Sequence, residues 1–276
     1  MWLSRNKSMR GGVPAIEFII GTVVMRRGFI DWGGNVLALV IVITVNALAN
    51  IVPFAGTTTG EVADKYFSLF TPADFTFSIW GLIYLALAAF VVYQALPAQR
   101  ENESLARISL PFKISCAANA LWMVTWHLEW LVPALMLMIV LLVSLVAIYR
   151  SLGIVDTGAR ATDRWLVQLP FGLYLGWITV ASIANLSAVQ AAFYWNDLGF
   201  DEETWTMIKL AVAATIACIV SLRRHDLVFP LVVAWAAYGI AAGQAATPGV
   251  SGAAGTVMIF TTLVAAFEAM RRFRSG

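Results

Sequence analysis

Residues 174–185 of the sequence read YLGWITVASIAN, and they lie inside an apolar segment that runs from about residue 165 to residue 194. On a helix with about 3.6 residues per turn, positions spaced by three or four residues share one face. Four side chains of this stretch have that spacing: Tyr174, Trp177, Ala181 and Asn185. In a lipid-embedded helix, such a stripe of aromatic, small and amide side chains is either a helix-packing seam or the wall of a pocket.

The composition is that of a membrane protein. Hydrophobic residues make up 60% of the chain, charged residues make up 12%, and the mean hydropathy is +0.79. A soluble domain has roughly 45–50% apolar and about 25% charged residues. So few charges do not cover a soluble surface, and the apolar runs reach the roughly 20 residues that cross a bilayer. The sequence therefore predicts an all-α polytopic membrane protein whose first partner is the lipid bilayer.

Hydropathy divides the chain into eight predicted transmembrane spans that follow an N-terminal cytoplasmic tail, residues 1–33. The approximate bounds of the spans are 34–54, 76–97, 109–127, 130–150, 165–194, 205–222, 227–244 and 251–270.

The distribution of basic residues supports this number of spans. If eight spans alternate in direction, sixteen Lys and Arg residues fall on one side and only Lys65 and Lys209 on the other, which accounts for all 18. The positive-inside rule then places both termini in the cytoplasm, and we expect a bacterial inner membrane. The net charge of +2 gives no indication of nucleic-acid binding, and we expect no nucleic-acid partner.

Several spans carry an amide or aromatic face besides the stripe at residues 174–185. Polar side chains are costly in a bilayer unless they pair or face a cavity. The further candidates are Asn46 on span one, Phe75, Phe77, Trp80 and Tyr84 at the start of span two, and Asn119, Trp122 and Trp126 on span three. Two interpretations stay open. Either the amides join helices and the rings fill the core, or the faces enclose a shared aromatic cavity.

The connection between spans one and two, residues 55–75, is long enough to cover a site. Long loops in compact membrane proteins often do so, but an acidic external loop also results from the exclusion of Lys and Arg. Both interpretations stay open.

The last three spans are rich in Ala and Gly and poor in buried polar groups. Small residues let helix backbones approach closely in lipid. We therefore expect these spans to serve packing, a homodimer or another membrane-protein partner, and not chemistry.

The aromatic motifs resemble, in the same order, those of the tryptophan-rich sensory proteins related to the translocator protein, the peripheral benzodiazepine receptor. The second helix of that family carries Pro-Pro-x-Trp-x-Phe and then Trp-x3-Leu-Tyr or a close variant, and Pro72 and Trp80-Gly-Leu-Ile-Tyr84 match it. The third helix carries Asn-x-x-Trp, matched by Asn119-Ala-Leu-Trp122. The fifth carries Tyr-Leu-Ala-Trp and an Asn eight residues after the Trp, matched by Tyr174-Leu-Gly-Trp177 and Asn185.

The chain departs from the family pattern in three places. The second Pro and the first Trp of the span-two motif are missing, and Phe75 and Phe77 are shifted by one residue. The sterol-recognition pattern of the animal members is absent, because no Lys or Arg follows Tyr194 before Lys209. The family core has five helices, so spans six to eight are additional.

The resemblance implies a five-helix core, residues 34–195, followed by a three-helix extension, residues 196–276. It also implies a pocket for planar hydrophobic ligands such as porphyrins and other tetrapyrroles, used in sensing, regulation or transport. No cofactor is then required, and porphyrin or haem is a candidate ligand. Together, the resemblance and the aromatic and amide faces predict these ligand-binding residues: Asn46, Phe75, Phe77, Trp80, Tyr84, Asn119, Trp122, Trp126, Tyr174, Trp177, Ala181 and Asn185.

Two other functions stay open. A structural or assembly subunit would dock another membrane complex through spans six to eight. A porphyrin-degrading enzyme would use the Trp-rich pocket to steer breakdown of its substrate. The sequence carries no zinc spacing, phosphate loop or nucleophile motif, so it predicts no catalytic residue and no metal site. His127 and His225 lie at span ends, where a solvated role is favoured over ligation of haem iron.

Overall fold

The computed structural model describes residues 26–52, 56–153, 160–195 and 199–275. All regular structure within these ranges is helical, which confirms the predicted all-α class. Residues 1–25, which make up most of the predicted N-terminal tail, lie outside the described residues.

Eight long helices and one short one organise the described chain. They are α1 (Phe29–Ile51), α2 (Thr59–Lys65), α3 (Ile79–Ala95), α4 (Glu103–His127), α5 (Leu131–Ser151), α6 (Leu169–Ala192), α7 (Glu202–Arg224), α8 (Val228–Gly243) and α9 (Pro248–Ser275). A 3₁₀ turn, Asp74–Ser78, leads into α3, and a π-helical turn, Arg164–Gln168, leads into α6. Side-chain caps start α4, where Asn102 accepts from the N–H of Leu105, and α7, where Asp201 accepts from the N–H of Thr204.

Six helical segments of the described chain are long and apolar enough to cross a membrane. They are Phe29–Ala49, Asp74–Ala95, Leu131–Ser151, Ala161–Ala192, Glu202–Arg224 and Pro248–Arg272. The other two predicted spans are helical as well. The 25-residue α4 is not among the six, and α8 has 16 residues. At about 1.5 Å per residue, α8 is roughly 24 Å long, against about 30 Å for a hydrocarbon core. The chain is thus a polytopic helical membrane bundle, while the number eight stays a prediction.

The start of α1 is fixed to the end of α3 by a buried arginine. Arg27 is only 5% exposed, and its guanidinium donates to Asp31 Oδ1 at 2.6 Å and to Gln94 Oε1 at 2.5 Å. It also donates to the backbone oxygen of Gln94 at 3.1 Å. A buried charge is tolerated when it is paired and hydrogen-bonded in this way. Because this arrangement orders the chain before residue 34, α1 begins at Phe29, earlier than the predicted bound of span one.

Three fully buried phenylalanine rings join α3, α4 and α6 in the half of the bundle that lies towards Arg27. The centroid distances between Phe90, Phe112 and Phe171 are 4.8–5.8 Å, and all three pairs are edge-to-face. Because lipid is as apolar as these rings, close packing and not the hydrophobic effect stabilises this contact.

Helix α8 packs closely on the 3₁₀ turn that leads into α3. Ala73 donates its backbone N–H to the carbonyl of Gly239 at 3.0 Å, and Trp235 Nε1 donates to the carbonyl of Thr76 at 3.0 Å. A Cβ added at Gly239 would overlap the Thr76 hydroxyl and lie 2.8 Å from Thr76 Cβ. The extension is therefore part of the same packed body as the predicted core.

Gly239→Ala tests this contact, because the added methyl group has no room beside Thr76. We expect the free energy of unfolding to fall by about 1–3 kcal/mol, as for other overpacked sites. The measurement is thermal unfolding of the purified protein in lipid nanodiscs. The control is Gly252→Ala on α9, where an added Cβ meets no atom within 4 Å. Equal melting temperatures for the two variants would contradict the close approach of α8 to Thr76.

Candidate functional site

The described residues enclose a cavity of about 70 Å³ at the end of the bundle that the topology prediction places outside the cytoplasm. It lies between α3, α4, α6 and α8, below the connection from α1 to α3. Its wall consists of Thr59, Ala63, Tyr66, Phe70, Thr71, Pro72, Phe77, Trp80, Trp122, Trp126, Trp177, Val180, Ala181, Ala184, Asn185, Ala188, Ala236 and Ile240.

Four indole rings dominate the cavity wall. Trp80 and Trp177 meet edge to face with centroids 6.2 Å apart, and Phe77 meets Trp177 in the same way at 6.2 Å. On the α4 side, Trp122 and Trp126 are stacked at 5.8 Å with an interplanar angle of 24°. Such rings bind planar aromatic molecules through stacking and edge contacts.

The stripe on α6 serves both roles that its spacing allows. In its second part, Trp177, Ala181 and Asn185 line the cavity. The small side chains at Ala181, Ala184 and Ala188 leave the space that the indoles surround. Tyr174, one turn earlier, is 2% exposed and does not line the cavity. The stripe is thus a packing seam at its start and a pocket wall further along.

Buried amides join the helices around the site. Asn46 Nδ2 donates to Asn119 Oδ1 at 2.9 Å, and Asn119 Nδ2 donates to the Tyr174 hydroxyl at 2.8 Å. This chain connects α1, α4 and α6, and it lies outside the cavity wall. Loss of one of these hydrogen bonds would leave a buried polar group unpaired, which lowers the stability of the bundle by about 1–3 kcal/mol. The amide chain therefore stabilises the packing of these helices. Asn119, Asn46 and Tyr174 thus bond one another and are not among the residues that line the cavity.

A second amide fixes one of the indoles. Asn185 Oδ1 accepts from Trp122 Nε1 at 2.9 Å, while Asn185 Nδ2 donates to the carbonyl of Ala181 at 2.9 Å. The Trp122 ring is consequently held in one orientation on the cavity wall.

Of the twelve predicted ligand-binding residues, seven line the cavity: Phe77, Trp80, Trp122, Trp126, Trp177, Ala181 and Asn185. The other five do not. Besides the three members of the amide chain, these are Tyr84, which stacks on Trp80 at 5.4 Å, and Phe75. Phe75 is 43% exposed and packs against Trp235 and Tyr238 of α8 at 5.6 and 5.4 Å.

The connection from α1 to α3 covers the cavity. We define residues 56–73 as the lid. Six of its residues line the cavity, and α2 within it begins with a capping box in which Thr58 and Glu61 bond each other reciprocally. Trp126 Nε1 donates to the carbonyl of Thr59 at 3.2 Å, which ties the first part of the lid to α4. The geometry of the described residues therefore agrees with the covering interpretation of this connection.

One carboxylate holds the middle of the lid in place. Glu129 lies in the turn between α4 and α5 with a left-handed φ of 58°. It accepts two hydrogen bonds from Lys65 Nζ, at 2.7 and 2.5 Å, and one from the Tyr66 hydroxyl at 2.7 Å. The Lys65 ammonium and the Tyr66 hydroxyl lower the pKa of Glu129, and Glu129 in turn raises the pKa of Lys65 and that of Tyr66. We call Lys65, Tyr66 and Glu129 the latch.

Helices of the predicted extension complete the site. Ala236 and Ile240 of α8 line the cavity, Gln244 Nε2 donates to the carbonyl of Thr71 at 2.9 Å, and Glu202 Oε1 accepts from the N–H of Leu69 at 2.8 Å. From the sequence we expected these helices to serve packing, a homodimer or another membrane-protein partner, and their contribution to the cavity wall was not predicted. The one signal was the pair Gly239-x3-Gly243, which indicates a close helix contact without identifying its partner.

Neither histidine belongs to the cavity wall. His127 is 1% exposed, and its Nδ1 lies 2.8 Å from the carbonyl oxygen of Met123. His225 Nδ1 lies 3.1 Å from Glu268 Oε2, and Arg271 pairs with the other oxygen of that carboxylate at 2.9 Å. Within the described ranges, no group of three or more His, Cys, Asp or Glu side chains is arranged to hold a metal ion.

Comparison with known proteins gives one match. A family model described as TSPO-like protein matches residues 31–267, which run from α1 into the last turns of α9. No curated protein and no solved structure matches.

The latch is tested by Glu129→Gln, which removes the charge that Lys65 and Tyr66 share. We expect the amide hydrogens of α2 to exchange faster in this variant at neutral pH, because the lid opens more often. The measurement is hydrogen exchange followed by mass spectrometry. The control is Asp64→Asn, which removes an exposed carboxylate from the same lid helix without touching the latch. Equal protection of α2 in Glu129→Gln and wild type would contradict the role of the latch.

The latch also predicts a pH dependence of lid closure. The pKa of Glu129 is lowered, so its carboxylate stabilises the closed lid fully above the ordinary carboxyl pKa of 4.5. This stabilisation is lost as the pH falls through the lowered pKa. The raised pKa of Lys65 keeps the ammonium charged until the pH exceeds its ordinary value of 10.5. Lid exchange, normalised to the intrinsic rate at each pH, is therefore expected to be flat at neutral pH and to rise in acid. Glu129→Gln should lack this rise of lid exchange in acid. The same rise in that variant would show that another group causes it.

Proposed function

The chain belongs to the TSPO-like protein family, and on that premise we propose that its cavity binds a planar hydrophobic molecule of the porphyrin or tetrapyrrole type. The protein is an integral membrane protein, and binding would serve sensing, regulation or transport. No separate cofactor is needed, since porphyrin or haem would itself be the ligand.

The observation that carries this proposal is the arrangement of four tryptophans around one cavity. Trp80 and Trp177 form one aromatic corner, and the stacked pair Trp122 and Trp126 forms the other. The wall also includes alanines of α6 and α8, whose small side chains leave room for a flat ring. Most small-molecule sites combine such apolar and aromatic walls with a few polar groups. Here the polar wall groups are Asn185 and the hydroxyls of the lid.

The size of the cavity sets a condition for binding a tetrapyrrole. Its volume is about 70 Å³, whereas sites for drug-sized ligands measure about 300–1,000 Å³. A tetrapyrrole therefore enters only if part of the wall moves. The lid is the part that moves, because it is held by the latch and by a few hydrogen bonds to α4, α7 and α8. The described conformation is the closed one.

We also propose that all eight long helices cross the membrane. All eight predicted spans are helices, and the two that are not long and apolar enough on their own, α4 and α8, pack between those that are. On this proposal a five-helix core and a three-helix extension cross the membrane together. The segregation of Lys and Arg supports cytoplasmic termini in a bacterial inner membrane.

The outer face of α9 supports a second proposal, that of a homodimer or a membrane-protein partner. Only 22% of its most apolar window is buried, and Gly252 and Gly255 have no neighbour that an added Cβ would meet within 4 Å. A partner bound to this face of α9 would leave the cavity free to bind its ligand. A porphyrin-degrading activity gains no support from the cavity wall, whose side chains include no charged acid or base.

The experiment is a titration of the protein in lipid nanodiscs with protoporphyrin IX and with its dimethyl ester, followed by quenching of tryptophan fluorescence. We expect saturable quenching in the micromolar range. Ala181→Phe should weaken it at least tenfold, because the added ring fills the cavity beside Trp177. The matched control is Leu85→Phe, which adds the same ring at a position of α3 that is 70% exposed. Failure of both porphyrins to saturate, or equal affinities in the two variants, would contradict the proposal.

A further inference from the structure

We propose that the ends of α7 and α9 that lie farthest from the lid form a binding site for the phosphate group of an anionic phospholipid. The site consists of five exposed arginines, which we call the arginine cluster: Arg223, Arg224, Arg271, Arg272 and Arg274. All five belong to the predicted extension, and none of them lines the cavity.

Two contacts bring the arginines of the two helices together. His225 directly follows α7 with a left-handed φ of 51°, and its Nδ1 lies 3.1 Å from Glu268 Oε2 of α9. Arg272 of α9 donates in turn to the carbonyl oxygen of His225. The end of α7, which carries Arg223 and Arg224, therefore lies beside the end of α9, which carries the other three arginines.

The cluster lies at the depth of the lipid headgroups. Glu202, the first residue of α7, contacts the lid, and the 23 residues of this helix place its other end about 35 Å away. On α9, Glu268 follows Pro248 by 20 residues, which is about 30 Å and equals the thickness of a hydrocarbon core. Arg271 comes less than one turn later, so the arginines of α9 start at the boundary of the hydrocarbon region.

The carboxylates nearby are buried and already bound. Glu268 is 1% exposed and pairs with Arg271 at 2.9 Å as well as with the histidine. Asp226 is 3% exposed; it accepts from the Tyr149 hydroxyl at 2.6 Å and from two backbone N–H groups at the start of α8. These are the only two acidic residues in the last turn of α7, the turn after it and the last three turns of α9. The exposed surface of the cluster is therefore cationic.

Three members of the cluster are available to an external anion. Arg223, Arg224 and Arg274 make no hydrogen bond and no ion pair with another residue of the described ranges. Arginines elsewhere at this end of the bundle are used differently, because Arg27 is buried in an ion pair and Arg100 lies over an indole ring. Guanidinium groups bind phosphate through parallel hydrogen bonds, and clusters of about four to eight basic residues next to membrane spans bind anionic lipids.

An apolar surface adjoins the cluster on its membrane side. Arg271 lies over the ring of Phe267, 5.8 Å from its centroid, so the two side chains share one face of α9. The exposed apolar side chains at this end of the two helices are Leu222, Leu263, Phe267 and Met270. A phospholipid offers a phosphate to the arginines and acyl chains to these residues, whereas a free phosphate offers only the first. The surface therefore favours a lipid as the occupant.

The experiment is native mass spectrometry of the full-length protein, released from detergent that contains equal amounts of phosphatidylglycerol and phosphatidylcholine with the same acyl chains. Phosphatidylglycerol carries a net negative charge, while the choline ammonium of phosphatidylcholine cancels the charge of its phosphate. We expect the wild type to retain at least fivefold more phosphatidylglycerol than phosphatidylcholine.

The variant Arg223→Gln/Arg224→Gln removes two members of the cluster that have no partner in the described chain. We expect it to lower the retention of phosphatidylglycerol at least threefold and to leave that of phosphatidylcholine unchanged. The matched control is Arg26→Gln/Arg107→Gln, which removes the same charge from exposed arginines before α1 and on α4. This control should retain phosphatidylglycerol as the wild type does.

Thermal unfolding in nanodiscs gives a second readout, because a lipid that binds the folded state raises its melting temperature. Phosphatidylglycerol should raise the melting temperature of the wild type and of the control more than that of Arg223→Gln/Arg224→Gln. In nanodiscs of phosphatidylcholine, addition of sodium phosphate should have no more effect than sodium chloride at the same ionic strength.

Three outcomes would overturn the inference. Equal retention of the two lipids by the wild type would show that no anionic lipid is selected. Equal losses of phosphatidylglycerol in the double variant and in the control would assign the preference to the general positive charge of this end of the bundle. Stabilisation by phosphate but not by chloride, lost in Arg223→Gln/Arg224→Gln, would identify a free phosphate as the occupant.

Discussion

Hydrogen bonds between side-chain amides and aromatic residues are the interactions on which this site depends. In a bilayer the hydrophobic effect does not drive one helix against another, so close packing and polar contacts determine which helix faces meet. The chain from Asn46 through Asn119 to Tyr174 fixes α1, α4 and α6 relative to one another. Three residues further along α4 and eleven residues further along α6, the bond from Trp122 to Asn185 joins the two helices again and orients an indole on the cavity wall. These bonds hold Trp122, and the helices that carry other large rings, around the small residues of α6.

The extension and the lid turn this arrangement into a closed compartment. The lid is tied near its start to Trp126, in its middle to Glu129 and Glu202, and near its end to Gln244. Because Glu202 begins α7 and Gln244 directly follows α8, the last third of the chain contributes to closure as well as to the wall. The glycines of α8 permit the contact: at Gly243 an added Cβ would lie 2.8 Å from the backbone nitrogen of Ala73. On the proposed function, admission of a ligand requires that these contacts of the lid break while the buried amide chain stays intact.

Much of the fold was predictable from the sequence, because hydropathy and helical periodicity are local properties. The spacing of Trp177, Ala181 and Asn185 placed them on one face, and this face lines the cavity. Periodicity does not tell which polar group meets which. Asn119, Asn46 and Tyr174 were predicted to bind the ligand, and in the described structure they bond one another and do not line the cavity. Phe75 illustrates a second limit, since the 3₁₀ turn before α3 directs its ring towards α8 and away from Trp177. The roles of Ala236, Ile240 and the latch depend on contacts between distant segments, for which a single sequence carries no signal.

The measurement that tests the central claim most directly is an experimental structure of the protein in nanodiscs, determined with saturating protoporphyrin IX dimethyl ester. We expect density for a flat ring between the Trp80–Trp177 corner and the Trp122–Trp126 pair. We also expect the lid to move away while the bonds from Asn119 to Asn46 and Tyr174 remain. Ring density on a lipid-facing surface, with the closed cavity and the lid unchanged, would contradict the account.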